Sequence, residues 1–125
     1  MNPKILLFGF TDLKDVMAIH GAVAPAGVEL CPVSSADCSK SIGVLAGLDP
    51  VPEHFRPYAG LIGGKMMVLC GLDDRIDEIL PMLRKTDAGG CMKAVLTASN
   101  RTWSAVRLYG ELLKERSAIR GRNDT

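Results

Sequence analysis

Histidine is nearly absent from this sequence, and cysteine is sparse and scattered. His20 and His54 are the only histidines, and Cys31, Cys38, Cys70 and Cys91 form no Cys-x-x-Cys pair. A zinc site needs such ligands to converge, and nothing in this spacing makes them do so, so no metal is expected. Charge of one sign is missing too: fifteen basic residues face fourteen acidic ones, for a net charge of +1. That balance leaves no electrostatic footprint for nucleic acid or an anionic membrane. The one basic cluster, Lys114, Arg116, Arg120 and Arg122, is interrupted by Glu111 and Glu115 and reads as a solvated helix face and tail. Long hydrophobic runs are also lacking. Ile5 to Phe10 is broken at once by Thr11 and Asp12, too short to span a membrane and without a cleavage site behind it. The expectation is a cytoplasmic protein whose cysteines stay free in a reducing compartment.

What is present is enough for one folded domain over residues 1–125: 47% hydrophobic and 23% charged residues. Ile5 to Phe10, Val28 to Val33, Met66 to Leu72 and Met92 to Leu96 read as strands, the first and third as near-continuous apolar runs. Helices are predicted between and after them. Thr11 or Asp12 caps the first, with Leu13, Val16, Met17 and His20 or Val23 on its apolar stripe; Pro25 and Gly27 end it. Ser41 caps a short one from Ile42 to about Leu48. Asp73 or Asp74 caps a third, carrying Ile76, Ile79, Leu80 and Leu83, with Pro81 inside it. Gly89 and Gly90 end that helix. Ser104 caps the last, with Val106, Tyr109, Gly110 and Leu113 on one face, and residues 120–125 read as a frayed tail. Residues 49–65 are a proline- and glycine-rich arm. Its Phe55, Tyr58, Leu61 and Ile62 suit packing, and they make a homodimer contact conceivable.

The two parts, about 4–48 and 66–119, read as half-repeats. Gly9 and Asp12 recur as Gly71 and Asp74, 62 positions on. Ser34, Asp37, Ser39 and Ser41 meet Thr97, Asn100, Thr102 and Ser104, 63 positions on. Two βαβα halves imply an α/β fold with a small, open, mostly parallel four-stranded sheet in the order 2-1-3-4. In the fully parallel form the first and third strands flank a switch-point crevice, to which the loops after all four strands would contribute. A mixed sheet, with the halves meeting antiparallel, is the rival.

The motif Lys93-Ala94-Val95-Leu96-Thr97, followed by Asn100, Trp103 and the helix containing Glu111-Leu112-Leu113-Lys114-Glu115, carries a resemblance. With the opening Val68-Leu69-Cys70-Gly71-Leu72-Asp73-Asp74, the stretch from Met66 to about Arg116 resembles a bacterial domain-of-unknown-function family, number 3783. It departs from that pattern at Ala98, where proline is usual, and at Arg107, where an acidic residue would complete a capping box with Ser104. The resemblance implies no activity.

Candidate ligand-binding residues are those of the predicted edge: Asp12, Ser34, Ser35, Asp37, Ser39, Asp74, Thr97, Ser99, Asn100, Thr102 and Trp103. Hydroxyls and an amide at helix starts suit a polar or anionic ligand, with Trp103 as a stacking face. The competing reading has Asn100 and the hydroxyls satisfying loop backbone while Trp103 fills the core. A thiol nucleophile at Cys38 or Cys70 would need a base from His20 or His54. Gly60-Leu61-Ile62-Gly63-Gly64-Lys65 is not a phosphate-binding loop: it is one residue short, lacks the hydroxyl after lysine, and precedes a strand. No cofactor is implied. The favoured expectation is a small non-catalytic binding or interaction module, the alternative a small enzyme acting on a polar or anionic metabolite.

Overall fold

The computed structural model describes residues 2–58, 62–86 and 91–123, the last seven as backbone only. Four strands, β1 (Lys4–Phe8), β2 (Glu29–Val33), β3 (Met66–Cys70) and β4 (Met92–Val95), form one sheet in the order β2-β1-β3-β4. Four α-helices follow them in turn: α1 (Leu13–Val23), α2 (Ile42–Leu45), α3 (Ile76–Arg84) and α4 (Ala105–Asn123). The strand order is the expected one, and two of the three strand pairs are parallel.

The central pair is antiparallel, with Lys4 opposite Cys70 and Phe8 opposite Met66. The carboxyl ends of β1 and β2 therefore lie at one end of the sheet and those of β3 and β4 at the other. This is the mixed sheet, and it removes the single switch-point crevice. Both central strands are buried along most of their length, on both faces. An apolar run of that kind suits either strand direction, so it cannot specify one. Contacts at the start of β3 do. Gly9, at φ +78°, comes so close to Gly64 that a Cβ there would overlap its carbonyl. Lys65 Nζ is 2.9 Å from the Asp15 carboxylate and lies over the Phe10 ring.

Alternation along the central strands feeds two cores. Ile5, Leu7, Met67 and Leu69 face α1 and α3, meeting Ile19, Val23, Ile79 and Leu83. Leu6, Phe8, Met66, Val68 and Cys70 face the other way, onto Cys38, Ile42, Ala46, Ala105 and Leu108. Each large aliphatic or aromatic side chain so buried contributes about 1.5–3 kcal/mol before conformational entropy is counted.

Several local expectations need correction. Leu13 and Met17 are 70% and 64% exposed, whereas Val16 and Val23 pack on the core as expected and Ile19 joins them there. His20 is exposed. Neither Asp73 nor Asp74 caps α3, which starts later, with Arg75 at its N-cap and no side-chain cap bond. On α4 the expected Val106 and Tyr109 do pack against the core, but Ala105 and Leu108 are the buried residues and Leu113 is 42% exposed. α4 runs to Asn123, past the end expected near Ile119, whereas α2 stops at Leu45. Gly89 and Gly90 lie outside the described residues. Other local signals appear as read: Asp12 Oδ1 accepts from the Lys14 amide, and Ser41 and Ser104 cap α2 and α4.

Candidate binding cleft

Segments leading into α2 and α4 cross the same face of the sheet and meet edge to edge. Ser41 and Ser104 form an antiparallel bridge, flanked by Ile42 N–H donating to the Trp103 carbonyl (2.9 Å) and Ala105 N–H to the Lys40 carbonyl (3.3 Å). Val106 N–H donates to the Cys38 carbonyl (3.2 Å). Leu6 and Val68, 62 positions apart, pair in the sheet, and Ser41 and Ser104, 63 apart, pair at this seam. The segments are tied again by Asp49, whose carboxylate takes two bonds from the Arg101 guanidinium, the Nε one at 2.8 Å. That guanidinium holds the Asp49 carboxyl below its usual range. Gly43 makes room for the pair: a Cβ there would overlap the carboxylate and come within 2.8 Å of Arg101 Cγ. The sequence reading missed this tie. Its one signal was a glycine at the second position of α2, where glycine costs about 0.5–1 kcal/mol relative to alanine.

The arm folds over the seam and leaves a cleft of about 240 Å³. Ser39, Lys40, Ser41, Thr102 and Ser104 line it on the seam side, and Val44, Val51, Pro52 and Phe55 complete it. Tyr58 closes one margin by donating to Ser104 Oγ at 2.6 Å. Ser39 is only 8% exposed, and its Oγ is the one buried side-chain polar atom among the described residues without a hydrogen-bond partner. Phe55 is half-buried in this lining, Ile62 packs on the core, Tyr58 is 53% exposed, and Leu61 lies outside the described residues.

The predicted site residues do not share one place. Ser39 and Thr102 come together in the cleft. Ser34 and Ser35 line a different hollow, with Gly9 and Thr11, beyond β1 and β2, and Ser34 Oγ accepts from the Ala36 amide. Asp74 sits with Gly71 and Asp73 beyond β3, at the opposite end of the sheet. Asp12 is occupied as the α1 cap, and Asp37 pairs with Lys40 at 3.0 Å.

Asn100 belongs to its own loop. Its Oδ1 accepts from the Thr97 amide at 2.9 Å, its Nδ2 donates to the Val95 carbonyl at 2.9 Å, and its own N–H donates to Thr97 Oγ1. Ser99 is exposed and makes no cap bond. Trp103 is half-buried against the core, with the Arg107 guanidinium 4.3 Å from its ring centre.

The thiols are arranged against nucleophilic use. Cys38 and Cys70 are buried, and burial raises both; Cys70 is pushed up to about 12. Among the described residues no group of three His, Cys, Asp or Glu side chains is placed to hold a metal ion. Nor is any described helix long and apolar enough to cross a membrane.

No curated protein and no solved structure matches the chain. One family model does, over residues 65–119, the stretch that builds β3, α3, β4 and most of α4 and brings Thr102 and Ser104 to the cleft. The matching model is that of the family described as Domain of unknown function (DUF3783), to which this stretch of the chain is similar.

Proposed function

We propose that this chain is a non-catalytic binding module whose site is the cleft beneath the arm, at the seam between its two halves. The observation that carries the reading is the composition of that cleft. Four hydroxyl side chains and a lysine lie opposite valine, proline and phenylalanine, with the unpartnered Ser39 hydroxyl in the wall. A buried hydroxyl left without any partner costs about 1–3 kcal/mol, which a bond to a bound polar molecule offsets. The alternative of a thiol enzyme finds less support, since the two thiols proposed for it are buried and protonated at neutral pH. On the same reading the seam is a product of internal duplication, which accounts for equivalent positions pairing at both Leu6·Val68 and Ser41·Ser104.

Saturation-transfer NMR of the purified chain against a cytosolic metabolite extract tests this. Binding should be seen with the native chain and lost in Thr102→Trp, which fills the cleft from an exposed position. Binding that survives this substitution, or turnover of the bound compound, would overturn the proposal.

A further inference from the structure

We infer that the cleft takes a small monocarboxylate with a short apolar tail; this rests on the cleft being the binding site. Along the Ser41·Ser104 seam the cleft has engaged acceptors and kept donors. Ser41 Oγ already accepts from the Val44 amide, and Ser104 Oγ accepts from both the Arg107 amide and the Tyr58 hydroxyl. Each retains its own proton. The backbone carbonyls of Lys40, Ser41, Trp103 and Ser104 are likewise taken, by Ala105, Leu45, Ile42 and Leu108 N–H groups. Thr102 and Lys40 add a further hydroxyl and a cation, while no carboxylate lines the space. With these protons and a cation, and no carboxylate among the described lining residues, the wall favours a ligand that accepts over one that only donates.

Charge narrows the class further. Lys40 is the single cation of the cleft, and Asp37 at 3.0 Å already shares it. That matches one negative charge better than the two of a phosphate ester. Val44, Val51, Pro52 and Phe55 offer hydrocarbon an apolar surface to cover, which sets the tail as apolar. A cleft of about 240 Å³ limits the ligand to a small one, and hexanoate is a probe of that class.

Titration of the full chain, followed by amide NMR shifts, should compare hexanoate with hexanamide, hexylamine and hexyl phosphate. Hexanoate should shift the amides of residues 39–44 and 102–104 and bind at least tenfold more tightly than any of the other three. Thr102→Val and Lys40→Met should each weaken it severalfold, with thermal melts confirming that both variants fold. If hexanamide, hexylamine or hexyl phosphate binds the same amides as tightly, the carboxylate assignment falls while the cleft stands as a site. If none of the four shifts these amides but the metabolite extract still yields a Thr102-dependent ligand, the assignment falls alone. A blank in both experiments overturns the binding module as well.

Discussion

Asn100→Ala is the sharpest probe of the polar loop after β4. The side chain is 7% exposed, accepts from the Thr97 amide and donates to the Val95 carbonyl, both at 2.9 Å. Truncation leaves one donor and one acceptor without partners. Each such bond is worth about 1 kcal/mol net. Thr97 is exposed, so water replaces the first partner, whereas the Val95 carbonyl sits on half-buried β4. The expected loss is about 2 kcal/mol, the upper part of the range for a lost cap. For a chain of this size that lowers Tm by roughly 8 °C. Asn100→Asp separates the two bonds. It keeps the acceptor for Thr97 but sets a carboxylate against the Val95 carbonyl, so at neutral pH it should cost more than alanine. Its carboxyl, buried beside an acceptor, titrates above its unfolded value, and the folded state then holds the extra proton between the two values. Stability of that variant should therefore rise as pH falls through this window. Urea denaturation followed by circular dichroism between pH 4 and 7 measures both effects. A loss below about 0.5 kcal/mol for alanine, or an aspartate variant no more pH-dependent than the native chain, would refute the structural role and return Asn100 to the ligand candidates.

Gly43→Ala should destabilise by about 1–3 kcal/mol, as an overpacked site does, because its Cβ would push Asp49 off Arg101; a denaturation midpoint at or above the native value would refute the tie. Pro81→Ala, at an exposed position within α3, should raise stability by roughly 1–2 kcal/mol. The recovered helix geometry and hydrogen bond outweigh the freer unfolded chain there. The Cys70 thiol, raised from an ordinary 9.0 to about 12, stays protonated in the fold while the unfolded chain loses its proton. Stability should fall as pH rises through that interval, by up to about 1.4 kcal/mol per unit. Denaturation at pH 8 and pH 10 checks this, and Cys70→Ala should remove that part of the slope.

Much of this protein was legible along the chain. Gly27 and Gly71 end a helix and a strand at φ +73° and +70°, conformations that demand glycine whatever the surroundings. Ser41, Ser104 and Asp12 cap their helices because a side-chain oxygen two or three residues from an amide needs only local geometry. The βαβα order and the 2-1-3-4 sheet followed from apolar runs and right-handed crossovers. The site was not legible. Its position depends on the direction of β3 relative to β1, and two strands buried on both faces carry the same apolar pattern in either direction. Contacts 50 or more residues apart made that choice, among them Gly9 with Gly64, Asp15 with Lys65, and Asp49 with Arg101. By turning the second half over, they sent the loops after β2 and β4 to opposite ends of the sheet. They also drew Ser39 and Thr102 together on one face: the 63-residue repeat marks the two positions as equivalent, but only packing across the fold makes them neighbours.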